Sequence, residues 1–173
     1  VARQVDPDLI DAQTMGVILM NLAEGLQQAG QPAAAETHAL EAQQLFENLR
    51  DTAYLPEIYR SLGHFALERR DSTAAQGYWQ RALALMAADG AWEFSREKAK
   101  VHLVLARLAQ AKGQPQQALR AYREVLASMV PGYAVDGEAL LPRAADLFEE
   151  NTLMDALAGL GDLLHARSQQ AVT

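Results

Sequence analysis

The residues best able to do chemistry in this sequence are four histidines, and their spacing argues against a shared site. His38, His64, His102 and His165 include no two that lie three or four residues apart, as the paired ligands of a helical metal site do. The sequence contains no cysteine, which excludes disulfides, thiolate zinc sites and a cysteine nucleophile from this chain. We therefore expect each histidine to have a structural or surface role.

Signature motifs of common enzymes are also missing. The chain has no phosphate-binding glycine loop, no dinucleotide fingerprint, no nucleophile elbow and no His-Glu-x-x-His zinc motif. Glu149 and Glu150 are adjacent rather than facing, and residues 136–138 lack the alternating acids of a calcium loop. We predict a protein that is not an enzyme and that uses no metal or cofactor. The alternative in this class is a stand-alone enzyme with a cleft of carboxylates.

The composition favours helices throughout the 173 residues. Ala, Leu, Gln, Glu and Arg dominate and are good helix formers, whereas Val, Ile and Thr together number only 18. The composition therefore predicts an all-α fold. The formal net charge of −7 disfavours binding to nucleic acid or to an anionic membrane, so we expect neither as a partner.

The sequence also supports expectations about where in the cell the protein is located and about the two ends of the chain. No window approaches 18 uninterrupted apolar residues, and no signal-peptide pattern opens the chain. We expect a cytoplasmic protein. The abundance of Ala and Arg is typical of a GC-rich, bacterial genome, and residue 1 is Val rather than Met. We expect a chain that is processed or cut from a longer protein, and its oligomeric state stays open.

Three segments repeat the same pattern of small residues around a turn. Twelve residues after Ala23, Gly63 and Ala106 stand Ala35, Ala75 and Ala118, and seven residues further stand Ala42, Ala82 and Val125. The repeat period is 40 and then 43 residues. Because antiparallel helices approach closely only where both present small residues, the pattern predicts a stack of helix pairs.

This pattern resembles the tetratricopeptide repeat (TPR), a helix–turn–helix unit of about 34 residues. The second segment matches best, through Tyr59, Leu62, Gly63, Ala75, Trp79 and Ala82. It departs from the family in its longer period and in Ala87, where the family closes with Pro. The resemblance implies a right-handed α-solenoid of about three full repeats, followed by a capping or truncated repeat. The alternative is an Ala-rich helix bundle without repeats.

Turn signals predict where the elements lie. We expect three helix pairs within residues 1–129, with helices near 8–29, 32–49, 54–69, 72–87, 93–112 and 115–129. An irregular region at 130–150 contains a short helix at 138–148, and a terminal helix and tail occupy 151–173. Gly30 and Gly113 are expected to end helices in the left-handed conformation. Asp6, Asp51 and Asp71 are expected to cap the helices that follow them.

The terminal helix resembles the first helix of another repeat. Its Leu157, Leu160-Gly161 and Leu164 have the spacing of Tyr59, Leu62-Gly63 and Ala66. Two explanations stay open: the helix is a solvating cap, as repeat arrays require, or the chain is cut within a fourth repeat.

The TPR resemblance implies a binding surface, because first helices of successive repeats line a concave groove in that family. The positions that it places in the groove are Met20, Glu24, Gln27, Arg60, His64, Glu68, Leu103, Arg107, Gln110, Asp162 and His165. We predict an extended or helical peptide there, with Arg60 and Arg107 on its carboxylates and Glu24 and Glu68 on its bases. Family members that bind chaperone tails carry Lys and Asn where this chain has Met20 and Glu24, so such tails are not expected ligands. The alternative is a solvated face without a ligand.

A narrower resemblance concerns residues 122–164. The stretches LASMVPGY at 126–133 and ENTLMDALAG at 150–159 resemble the TPR region of bacterial proteins that carry a caspase-like CHAT protease domain. The following Leu160-Gly161 departs from the expected Lys-Ala. The resemblance implies the sensor or adaptor part of such a protein, binding a protein or peptide partner. The alternative is the regulatory repeat region of a bacterial transcription activator or signalling ATPase.

Overall fold

In the computed structural model, which describes residues 7–88, 95–130 and 151–170, every regular element is an α-helix. The helices are α1 (Pro7–Gln28), α2 (Pro32–Leu49), α3 (Leu55–Glu68), α4 (Ser72–Ala88), α5 (Arg96–Ala111), α6 (Pro115–Met129) and α7 (Asn151–Gln170). The predicted all-α fold of helix pairs is confirmed, and the predicted bounds differ from the observed ones by three residues at most. The predicted helix at 138–148 and the predicted cap Asp6 lie outside the described residues.

The chain divides into two compact units, Val1–Leu85 and Met86–Thr173. In the first unit, α2 packs against both α1 and α3, and α4 contacts α3 through Trp79. In the second unit, α5, α6 and α7 pack against one another. Connections of three to five residues join the helices from α1 to α4, and α5 to α6. Connections this short make neighbouring helices antiparallel.

One turn geometry ends four of the helices. After α1, Gly30 has a φ of 75°, its N–H donates to the Gln27 carbonyl, and the next N–H, of Gln31, donates to Leu26. Gly113 repeats this turn after α5, with a φ of 68°. These are the bonds of a Schellman motif, which satisfies the last carbonyls of a helix. The prediction of left-handed glycines at both positions is confirmed.

The same turn also occurs where the sequence has no glycine. Arg50 after α2 and Arg70 after α3 have φ values of 54° and 64°, and their N–H groups donate to Glu47 and Leu67. A left-handed conformation costs a residue with a Cβ roughly 1–2 kcal/mol. The two hydrogen bonds that close each turn offset this cost, so the geometry of the helix pair is kept without glycine.

The aspartates after these turns have different roles. The Asp71 Oδ1 accepts from the backbone N–H of Ala74 at 2.9 Å, so the predicted cap of α4 is confirmed. The Asp51 Oδ1 accepts from the N–H of Ala53 at 3.0 Å, whereas the N-cap of α3 is Tyr54 without a side-chain bond. The prediction that Asp51 caps α3 is wrong, because its carboxylate folds back onto its own loop.

A close approach in the first unit places the Trp79 ring of α4 on Gly63 of α3. A Cβ added at Gly63 would lie 2.2 Å from the indole Nε1, and Trp79 is fully buried. The indole N–H also donates to the Arg60 carbonyl at 3.1 Å. A ring of this size fits between the two helices only because position 63 has no side chain.

The second unit uses a similar approach at another helix. Tyr122 of α6 lies against Gly159 of α7, where an added Cβ would be 2.2 Å from Cζ of the ring. A Cβ added at Gly161 would meet no side chain and no neighbouring helix within 4 Å, and both Gly161 and Leu164 are exposed. Gly161 and Leu164 therefore do not lie on a buried helix face as Gly63 and Ala66 do, and the predicted correspondence is wrong at these two positions. The helix is rotated so that Gly159 instead meets the aromatic ring.

A charged hydrogen bond joins α2 to α3 in the first unit. The Tyr59 hydroxyl donates to Oε1 of Glu47 at 2.6 Å. Burial, followed by the bond to Glu47, raises the pKa of Tyr59 to about 12. The bonds from Tyr59 and then from Gln43 lower the pKa of Glu47. Both shifts favour the phenol–carboxylate pair at neutral pH.

We predict that Gly63→Ala destabilises the protein by about 1–3 kcal/mol, because the added methyl overpacks the contact with Trp79. The matched control is Gly77→Ala in α4, where nothing lies within 4 Å of an added Cβ. It should stabilise the protein by about 0.5–1 kcal/mol through helix propensity. Urea denaturation followed by circular dichroism measures both changes. Equal effects of the two substitutions would contradict the close packing of Trp79 on Gly63.

Candidate functional site

The first unit contains a cleft of about 440 Å³ between α1 and α3. Its lining comes from these two helices, from the loop residue that precedes α3, and from one residue of α2. The lining residues are Val17, Met20, Asn21, Ala23, Glu24, Gln27, Gln28, Ala39, Tyr54, Glu57, Ile58, Arg60, Ser61, His64 and Phe65. A cavity of this size falls in the range of ligand-binding pockets.

The cleft has an apolar floor and polar walls. Ala23, Ala39, Ile58 and Phe65 are buried and form its floor. The small side chains of Ala23 and Ala39 follow from the repeat pattern, because the helices of a pair approach closely there.

The walls are two rows of polar side chains, one on each helix. The row on α1 consists of Asn21, Glu24 and Gln28, and the row on α3 consists of Glu57, Ser61 and His64. Each row follows the three- and four-residue spacing that keeps side chains on one helix face. The arrangement therefore offers hydrogen-bonding groups along two sides of an apolar channel.

Charges of both signs occur in the cleft, with different exposure. On α3, Arg60 and Glu57 approach to 3.9 Å, and 51% of the Glu57 side chain is exposed against 23% for Arg60. On α1, the Gln28 amide donates to Glu24 at 3.3 Å, and Glu24 is exposed. The carboxylates are thus more accessible to a ligand than the guanidinium.

His64 lies at the edge of the cleft with its ring against Trp79. The two ring centroids are 5.5 Å apart in an edge-to-face arrangement. Burial, followed by the charge of Arg60, lowers the pKa of His64 below its usual 6.5. The imidazole is therefore neutral at pH 7, and it can offer one donor and one acceptor.

The structure brings together five of the six groove residues predicted in this unit. Met20, Glu24, Gln27, Arg60 and His64 all line the cleft. The sixth, Glu68, is exposed at the end of α3 and is not part of the lining.

In the second unit, one of the predicted groove residues lies in the core. Leu103 is only 6% exposed and belongs to the core of α5, α6 and α7, so its prediction as a groove residue is wrong. The reason is that Tyr122 and the helix α7 cover this face of α5, and Leu103 shares their core.

The remaining predicted residues of this unit lie near the surface. Arg107 of α5 forms an ion pair with Asp155 of α7 at 2.7 Å, and Gln110 accepts the Tyr122 hydroxyl at 2.8 Å. Both are exposed, as are Asp162 and His165 on α7. Arg107 and Gln110 therefore hold neighbouring helices together, and a ligand would have to compete with these bonds.

Sequence reasoning missed several lining residues, notably Asn21, Glu57 and Ser61. It named three positions for each first helix, whereas α3 exposes a wider face to the cleft. Ser61 and Glu57 lie three and seven residues before His64, so helical periodicity extended back from His64 would have found them.

Neither a candidate metal site nor a membrane-spanning helix occurs within the described ranges. There, no group of three or more His, Cys, Asp or Glu side chains could hold a metal ion. In the same part of the chain, no helix combines the length and hydropathy needed to cross a bilayer.

Comparison with known proteins supports the fold only. No family model and no curated protein sequence matches this chain. Among solved structures, it is similar to the crystal structure of BtubC (BKLC) from P. vanneervenii, with a TM-score of 0.70 and 20% sequence identity. The match covers 96% of this chain but 59% of BtubC, so the chain spans little more than half the length of that relative. At this identity, the similarity shows that the two proteins share a fold.

The buried histidines predict a loss of stability in mild acid. Burial, followed by the charge of Lys98, lowers the pKa of His102 from 6.5 to about 4. As the pH falls from 6.5 towards 4, the unfolded chain binds this proton before the folded chain does, so the free energy of unfolding decreases. We expect His102→Gln to lose less stability than the parent between pH 7 and pH 5, as measured by urea denaturation.

The control for this prediction is the range above pH 7, where neither the folded nor the unfolded chain protonates His102, so the parent and His102→Gln should change stability in parallel. NMR titration of the histidine Cε1 signals gives a direct reading. A midpoint for His102 near 6.5 would contradict the burial described above.

Proposed function

We propose that this chain is a non-catalytic protein–protein interaction module of the tetratricopeptide type, and that it binds a peptide segment of a protein partner in the cleft between α1 and α3. The observation that carries the proposal is the pair of polar rows facing each other across an apolar floor. Such a channel buries side chains of a peptide and offers hydrogen bonds to its backbone.

The repeat pattern supports the tetratricopeptide assignment. Trp79 and Gly63 of the best-matching segment form a close contact between α3 and α4, and the same turn recurs at four helix ends. In the larger context, we propose a sensor or adaptor region of a bacterial protein such as a CHAT-type protease. The stretches at 126–133 and 150–159 support this context.

A steric block of the cleft tests the proposal. Linear dodecapeptides displayed on phage are selected on the parent chain, and their affinity is measured by fluorescence anisotropy. Ser61→Trp places a large ring in the α3 wall and should weaken the selected peptides by about tenfold or more. Gln44→Trp, at an exposed position of α2 outside the cleft, is the matched control and should retain affinity.

Circular dichroism must show that both variants keep the helical fold. Equal affinity of the selected peptides for Ser61→Trp and for the parent would place their binding elsewhere and overturn the proposed site. Failure to select any peptide would count against peptide binding by this chain.

A further inference from the structure

The length of the cleft limits what can lie in it. Its lining runs from Val17 to Gln28 on α1 and from Tyr54 to Phe65 on α3. Eleven residue steps along a helix correspond to about 16 Å. An extended chain covers that distance in about five residues, at roughly 3.3 Å each.

The walls of the cleft favour an extended backbone over a helix. Asn21, Gln27 and Gln28 of α1 carry carboxamides, and Ser61 of α3 carries a hydroxyl. Each of these groups both donates and accepts hydrogen bonds. An extended peptide has unpaired N–H and C=O groups that match them, whereas a helix satisfies its own. The apolar face of a helix would dehydrate the wall groups without replacing their bonds to water.

The accessible charge of the cleft is negative. Glu24 on one wall and Glu57 on the other are exposed, while Arg60 is the less exposed member of its pair with Glu57. His64 adds no positive charge at neutral pH, since burial and the neighbouring Arg60 lower its pKa. The chain as a whole carries a formal charge of −7, which favours the approach of a cationic ligand over an anionic one.

From these three features, and resting on the proposed peptide-binding function, we propose the class of ligand. The cleft holds an extended segment of about five residues, with a central Lys or Arg between Glu24 and Glu57 and apolar neighbours on the floor formed by Ala23 and Ile58. This assignment differs from the sequence-based expectation that Arg60 recognises a carboxylate, because the exposed groups are the glutamates.

The test uses four mixtures of blocked heptapeptides whose central residue is Lys, Arg, Gln or Glu and whose other positions vary among Ala, Val, Leu, Ser and Thr. Binding to the full chain is measured by biolayer interferometry. Shifts of the Asn21, Gln27 and Gln28 side-chain amides in ¹H–¹⁵N spectra show whether the peptides lie in the cleft. We expect the Lys and Arg mixtures to bind about tenfold more tightly than the Gln mixture, and the Glu mixture to bind least.

A pair of double variants isolates the local charge. Glu24→Gln with Glu57→Gln should remove the preference for Lys and Arg. The control, Glu41→Gln with Glu68→Gln, changes the net charge by the same amount. The side chains of Glu41 and Glu57 are similarly exposed, at 52% and 51%. The control should retain the preference to within about twofold. Loss of the preference in both double variants would show a general charge effect and overturn the assignment.

The remaining outcomes separate this inference from the proposed function. Equal binding of all four mixtures, with shifts in the cleft, would overturn the charge preference and leave peptide binding intact. A preference for the Glu mixture would reverse the assignment in favour of Arg60. Helical Cα chemical shifts of a bound ¹³C-labelled Lys heptapeptide would identify a helical occupant and overturn the extended conformation, because they report the backbone conformation directly. Self-association in sedimentation with no peptide shifts would identify a second copy and overturn both proposals.

Discussion

The first unit depends on how closely α4 can approach α3. The Trp79 ring occupies the space that a side chain at position 63 would need, and its N–H donates to the Arg60 carbonyl. These contacts set both the distance between the helices and the rotation of α3 about its axis. Because Arg60 and His64 flank Gly63 on that helix, the rotation that buries Trp79 also directs the cleft-lining face of α3 towards α1. Packing in the helix pair thus determines where the candidate binding groups lie.

The turns between helices add a second constraint. Four helix ends close with the same two backbone hydrogen bonds, although two have Gly and two have Arg in the left-handed position. Each turn ends its helix at a defined residue, which sets the register of α1 against α2 within the first unit, and of α5 against α6 within the second. At Arg50 and Arg70 these two hydrogen bonds offset the cost of a left-handed residue that has a Cβ.

The sequence was sufficient to predict the helices and five of the fifteen residues that line the cleft in the first unit. Small residues at constant offsets indicate helix pairs, and the TPR resemblance places Glu24 and His64 in a shared groove, where both line the observed cleft. Three features could not be predicted from the sequence, each for a physical reason. The turns at Arg50 and Arg70 have no glycine to mark them. Gly159 and Gly161 are both candidates for a contact with Tyr122, and only packing decides between them. The TPR resemblance places Leu103 in the groove, whereas Tyr122 and α7 share a core with it. An apolar residue on a helix gives no sign of which neighbour will cover it.

The residues of α3 fall into two groups, those that are buried in the core and those that line the wall of the cleft. Ile58, Leu62 and Phe65 are buried, and substitutions there create cavities that cost about 2–5 kcal/mol. Glu57 and Ser61 sit one position before two of these residues but face the cleft. Substitutions at partly exposed positions of this kind usually change stability by less than about 0.5 kcal/mol. The wall can therefore vary in charge and hydrogen bonding while the floor and the core stay constant, so under the proposed function a change of ligand would not require a change of fold.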